Sequence, residues 1–184
     1  MGPASRDGET AAPPPAVSFA GDSGVGKTGL LEGVIRALCA RGLRVGVIKH
    51  SGGFTDPDQA GKDSWRLREA GAERLVLASP SATILFARHP RAEPDFAGRL
   101  ALLGGGLDLV LVESYGSAGL PTLEVLRRGH TETLRARGAG ERIAVVADFE
   151  PAGLSVPLLR LEQPEEVADF LVAALALATN RIPG

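Results

Sequence analysis

The chain has 184 residues, a length that suits one domain with its own core. Its hydrophobic fraction of 44% is that of an ordinary soluble globular protein, and a net charge of −2 excludes a strong overall attraction to nucleic acid or to an anionic membrane. A single cysteine, Cys39, excludes an intrachain disulfide and points to a reducing compartment.

The N-terminus, MGPASRDGETAAPPPA, is rich in Pro, Gly and Ala and has no apolar stretch of signal-peptide type. Residues 1–15 are expected to be a mobile tail and residues 16–184 a single domain. Ala16–Ala20 reads as a short buried strand. A glycine loop follows at once. Leu30, Leu31, Val34, Ile35, Leu38 and Cys39 then mark one face of a helix, which Gly42 is placed to end. Leu43–Ile48 reads as a second strand, so the chain opens with a βαβ unit. A polar, glycine-rich stretch gives way to a short helix over Ser64–Ala72. Leu75–Ala78 and Thr83–Ala87 suggest a hairpin around "SPSA". Pro94–Leu103 suits a helix that "GGG" at 104–106 ends. Leu107–Val112, Leu120–Leu126, Ile143–Ala147 and, more weakly, Val156–Leu161 read as further strands. Pro164 starts a last amphipathic helix reaching about Ala178, with Glu165 and Glu166 at its positive end. Its most apolar part, Val167–Ala178, is too short to span a bilayer and contains Asp169, so a cytoplasmic location is expected. Near-continuous apolar strands between helices predict an α/β fold of the P-loop NTPase kind. It should have a mostly parallel twisted sheet, helices on both faces and an antiparallel edge.

The loop Gly21-Asp22-Ser23-Gly24-Val25-Gly26-Lys27-Thr28 fits G-x-x-x-x-G-K-[ST] without a mismatch, and Gly29 follows it. Glycines let the backbone approach a bulky anion, and successive N–H groups bind its oxygens. The following helix adds its N-terminal dipole. Lys27 can reach the β and γ phosphates, and the Thr28 hydroxyl can join the shell of Mg²⁺. A P-loop also uses an acid at the end of another strand. "LDLVLVES" offers Asp108 near its start and Glu113 at its C-terminal end. Glu113 is the favoured metal acid, because ligands of open α/β sheets bind at the C-terminal strand ends. Asp148 directly follows the strand Ile143–Ala147, and its carboxylate could accept both donors of guanine or only cap the turn at "FEPAG".

These residues resemble the adapter protein family of molybdopterin-guanine dinucleotide biosynthesis, MobB. The resemblance rests on "GDSGVGKTGLLEGVIRALCARGLRVGVIKHS", "DPDQAGKDSWRLREAGA" and "LDLVLVES", and covers about residues 17–150. It implies a homodimeric GTP-binding protein with weak GTPase activity. Such a protein assists the molybdenum cofactor guanylyltransferase, which attaches GMP to molybdopterin, and it could contact molybdopterin itself. It carries Gly21–Thr28 over as the nucleotide loop, with Lys27 and Glu113 acting in hydrolysis. Asp56 or Asp58 matches the family's acid after the second strand, and Asp58 keeps the better spacing to Gly61 as a metal ligand. The chain departs from the family after Lys49-His50, where further histidines are replaced by Ser51, Gly52, Gly53 and Phe54. It departs again at Glu113-Ser114-Tyr115-Gly116. Lys62, Arg66 and Arg68 form either a cationic patch for a phosphorylated ligand or a solvated helix face. The arginine-rich stretch "RRGHTETLRARG" at 127–138 reads as a mobile basic loop, and His130 within it is assigned no role. Exposed apolar residues in the 75–87 and 120–126 strands are candidate dimer contacts. The alternatives to a GTP-binding adapter are a P-loop small-molecule kinase and a binding module in which the nucleotide only sets conformation.

Overall fold

The computed structural model describes residues 13–51, 53, 56–89, 92–113, 118–135 and 141–179. The elements run β1 (Ala16–Ala20), α1 (Lys27–Ala40), β2 (Val45–Lys49), α2 (Asp63–Glu69), β3 (Arg74–Ala78), β4 (Thr83–Ala87) and α3 (Phe96–Leu102). They continue with β5 (Leu109–Glu113), β6 (Thr122–Val125), β7 (Arg142–Ala147), β8 (Leu158–Arg160) and α4 (Pro164–Ala174). The chain divides into two compact units, Met1–His50 with Leu100–Gly184, and Ser51–Arg99.

The larger unit is built on a six-stranded sheet of order β2-β5-β1-β6-β7-β8, and every neighbouring pair is parallel. Alternation along each strand sorts the side chains by face. Val17, Phe19, Leu109, Leu111, Leu123, Val125, Ala144 and Val146 form one core with Leu31, Val34 and Leu38 of α1 and Val167, Ala168 and Leu171 of α4. The two helices touch closely at Gly33, where a methyl group would lie 2.6 Å from the Pro164 ring. The opposite face carries a smaller cluster of Leu126, Val145 and Ala147. Its cover is Leu134, Phe149, Leu154 and Val156, which come from connections and not from a helix. Among the described residues no helix covers this small cluster; the α/β arrangement of a mostly parallel sheet with helices is otherwise the one expected.

The smaller unit holds α2 and the antiparallel hairpin β3–β4, in register Val76↔Leu85 and Leu77↔Ile84. The hairpin is a two-stranded sheet of its own and not the edge of the parallel sheet. Arg68 of α2 is buried here. Its guanidinium bonds Asp56 Oδ2 at 2.7 Å and Asp58 Oδ2 at 3.4 Å, and lies 4.4 Å from the centre of the Phe86 ring. The cationic patch of Lys62, Arg66 and Arg68 is therefore not formed: Arg68 points into the unit, while Arg66 is exposed beside Asp63.

The candidate dimer contacts fare differently. Val76, Leu77, Ile84 and Leu85 of the hairpin are 57, 36, 51 and 42% exposed. Leu123, Val125 and Leu126 are fully buried, because β6 lies in the middle of the parallel sheet with β1 and β7 on either side. Those three side chains of the 120–126 strand offer no apolar surface.

Candidate functional site

Chain order reverses beside β1: β5 pairs with it on one side and β6 on the other. A loop leaving β1 at its C-terminal end stands at the switch point where open α/β sheets receive ligands. Residues 21–26 form this loop and lead straight into α1. Val25 is fully buried in the core and pins the loop from beneath. Gly21 packs against the Val125 carbonyl, and Ser23 is exposed. Gly24 and Gly26 have φ of 82° and 102°, a region that L side chains rarely enter.

Lys27 is the first residue of α1 and is 6% exposed. Its ammonium donates to the carbonyls of Gly21 at 3.0 Å and Asp22 at 2.7 Å, so the loop closes on its own lysine. Burial holds the Lys27 pKa below its ordinary value, and the negative charge of Glu113 works against that depression.

Glu113 ends β5 and is nearly buried. Its Oε1 accepts from the Thr28 hydroxyl at 3.2 Å, and its Oε2 faces the Lys49 ammonium at 3.4 Å. The register explains the meeting, since Lys49 is the Cα partner of Glu113 across β2–β5. The His50 N–H continues the ladder by donating to the Glu113 carbonyl at 3.0 Å. Asp108 lies at the other end of the strand, where Arg44 binds it and holds its pKa low. Thr28, Lys27 and Glu113 thus converge at one edge, and Asp108 is remote from it.

Asp58 has its carboxylate engaged within the smaller unit: Oδ1 accepts from Gln59 N–H at 2.9 Å and Ser64 Oγ at 3.1 Å, and Oδ2 meets Arg68. Asp56 binds the same arginine, which with the Asp58 N–H lowers its pKa. Among the described residues no group of three or more His, Cys, Asp or Glu side chains forms a metal cluster. Residues 114–116 of the second departure lie outside the described residues, as do Gly52 and Phe54 of the first.

The stretch read as a mobile basic loop is ordered over 127–135. Arg127 and Thr131 form a bridge, and the Thr131 hydroxyl donates to Asp22 Oδ2 at 2.5 Å. Arg135 also donates to the Asp22 carboxylate. The Thr131 bond is the leading cause of a depressed Asp22 pKa. A methyl group on Gly24 would lie 3.1 Å from His130 Nε2, and one on Gly26 would lie 3.1 Å from Arg127 Nη2. Both glycines are needed for their backbone conformation, and each also stands close to the end of a side chain from this segment. Asp148, just after β7, accepts from the Arg128 N–H at 2.8 Å through Oδ1. Sequence reasoning missed Arg127, His130, Thr131 and Arg135. The usable signal was that this basic stretch follows a strand directly at the ligand-binding edge. Residues 136–138 lie outside the described residues.

A family model for Molybdopterin guanine dinucleotide synthesis protein B, MobB, matches residues 16–148. The molybdopterin-guanine dinucleotide biosynthesis adapter protein of Escherichia coli is 38% identical over 160 residues, 86% of this chain and 91% of that protein. Its counterpart of the same name in Haemophilus influenzae is 35% identical over 159 residues, 85% of this chain and 87% of that protein. The crystal structure of a molybdopterin-guanine biosynthesis protein B superposes with a TM-score of 0.68 at 27% identity, covering 86% of this chain and 99% of that one.

The geometry predicts a coupling between Glu113 and Lys27. Glu113 favours the charged form of a buried ammonium, so Glu113→Gln should move the Lys27 pKa further down. A pH titration of the Lys27 side chain by NMR checks this. An unmoved midpoint would mean that Glu113 does not act on Lys27.

Proposed function

Because the chain belongs to the MobB family of molybdopterin-guanine dinucleotide synthesis proteins, we propose that it is a GTP-binding adapter with slow GTPase activity. In this reading it assists the guanylyltransferase that attaches GMP to molybdopterin. The observation that carries the nucleotide half of the proposal is the convergence of a phosphate loop, Lys27, Thr28 and Glu113 at the C-terminal edge of a parallel sheet. The partner half is supported by the adapter proteins of E. coli and H. influenzae that share most of the chain.

Each residue has a task in this reading. The N–H groups of Gly21 to Thr28 and the start of α1 bind phosphate oxygens. Lys27 leaves the carbonyls of Gly21 and Asp22 and turns its charge to the β and γ phosphates. Thr28 and Glu113 fit a hard divalent cation, because their oxygens lie 3.2 Å apart and both are of the donor type that Mg²⁺ takes. Mg²⁺, when bound, neutralises phosphate charge. Gly29 stands with open space above it, in the first turn of α1. Asp58 is not part of this proposal, since its oxygens are held by Arg68 and Ser64.

For assembly, the hairpin supplies the argument. A two-stranded hairpin is marginal alone. Its exposed Val76, Leu77, Ile84 and Leu85 are suited to cover by a second copy, which gives the homodimer. Sedimentation should show a dimer at micromolar concentration, and Val76→Asp with Ile84→Asp should leave the monomer. A parent chain that sediments only as a monomer would remove the dimer.

Lys27→Ala should weaken GTP–Mg²⁺ binding about 10- to 100-fold, the range of a charge-assisted hydrogen bond, while the chain stays folded. Calorimetry with phosphate-release and phosphoryl-transfer assays tests the whole reading. Slow release without transfer supports the adapter, whereas transfer to a small acceptor would make the chain a kinase.

Base choice is assigned to Asp148. Guanine presents its N1–H and exocyclic amino group to a carboxylate, whereas adenine leaves that acid unmet. Asp148→Asn should shift preference from GTP toward XTP, because an amide N–H suits the 2-oxo group of xanthine. A variant that retains its GTP preference would leave Asp148 with only its bond to Arg128.

A further inference from the structure

Segment 127–135 is fastened to the larger unit on three sides. Buried Glu124 of β6 accepts from the Arg135 N–H at 2.7 Å and is paired with Arg142 Nε at 2.7 Å. Arg142 also donates to the Arg135 carbonyl at 2.6 Å. The Arg128 N–H is bound by Asp148, and Thr131 and Arg135 are bound by Asp22 of the phosphate loop. One short segment therefore ties the phosphate loop to the acid after β7, the two ends along which a nucleotide would lie.

Arg127 differs from its neighbours. Arg135 has Asp22, and Lys49 has Glu113, but the Arg127 guanidinium has no carboxylate partner among the described residues. It nevertheless stands beside Gly26, the residue that caps the N-terminus of α1. That is the positive end of the helix dipole, and Lys27 adds its charge next to it. An exposed guanidinium there is hydrated in the free protein and adds its positive charge to the place an anion would enter.

We propose that segment 127–135 is a phosphate strap, and that Arg127 is a second cation for the phosphates of a bound nucleoside triphosphate, beside Lys27. The inference rests on the nucleotide-binding reading above. Asp22 is the strap's holder. Its bonds to Thr131 and Arg135 position the segment and cancel a carboxylate that would otherwise repel phosphate. His130, over Gly24, closes the other side of the loop mouth.

Calorimetric titration of the full chain with GTP and Mg²⁺ tests this, with Arg127→Gln, Arg127→Lys and Lys27→Ala beside the parent. Arg127 is exposed, so its variants should fold as the parent does, which circular dichroism checks. Arg127→Gln should lose about 10- to 100-fold in affinity, and Arg127→Lys should recover much of that loss. The β or γ phosphorus resonance of bound GTP should also move between the parent and Arg127→Gln. If Arg127→Gln binds GTP within about threefold of the parent while Lys27→Ala does not, the strap role is wrong and the phosphate-loop reading stands. If Arg127→Lys is as weak as Arg127→Gln, the contact is one of shape and the charge role is overturned. A parent chain that binds no GTP overturns both readings together.

Discussion

Lys27 holds an ammonium group largely out of water at the N-terminus of α1, where the helix dipole is already positive. Both features oppose the charge, and burial depresses its pKa accordingly. Two backbone carbonyls of its own loop and the field of Glu113 are what the chain supplies in return. Neither carbonyl carries a full charge. The arrangement is therefore favourable to any anion that can enter and replace them. Glu113 cannot approach further, since one oxygen is shared with Thr28 and the other faces Lys49.

The same accounting explains an acid inside a phosphate loop. Asp22 would repel a phosphate if it stood alone. Thr131 and Arg135 occupy its two oxygens, and the bond from Thr131 favours the ionised form. The carboxylate then serves as an anchor for the segment above it. That segment is held from the other side by Glu124, a buried acid in the middle of β6 satisfied by Arg142 and the Arg135 N–H. A buried carboxylate without those partners would be strongly destabilising. Arg135 and Arg142 thus have structural duties as well as charge.

The strand and helix pattern was legible because burial leaves its own mark on each element of the larger unit. The near-continuous apolar runs of β5, β6 and β7, buried on both faces, and the Leu30–Leu31–Val34–Leu38 stripe of α1 reflect burial directly. The phosphate loop was legible because its glycines and lysine have local reasons for their spacing. Boundaries were less so. The last helix ends at Ala174, before the expected Ala178, because Leu175 departs from helical backbone and Ala176 takes a left-handed φ of 49°. No residue type at 175–176 announces that. Arg68 looked like surface charge, since its pairing with Asp56 and Asp58 and its stacking on Phe86 need the hairpin to fold back on α2. Arg127 and His130 were unreadable for the same reason: what gives them meaning is glycines a hundred residues away in sequence.

The chain as a whole is slightly acidic, yet the mouth of the phosphate loop collects Lys27, Lys49, Arg127 and Arg135 against Asp22 and Glu113. The surplus there is positive and lies at one edge of the sheet, where Lys27 alone among the four cations is buried. Attraction between such a surplus and an anion weakens with distance over about 10 Å at ordinary ionic strength. It therefore favours a compact, highly charged group at the loop itself. Phosphates joined in a short chain meet that requirement, and in the proposed reading Asp148, which binds the Arg128 N–H of the same segment, is the acid that meets the base they carry.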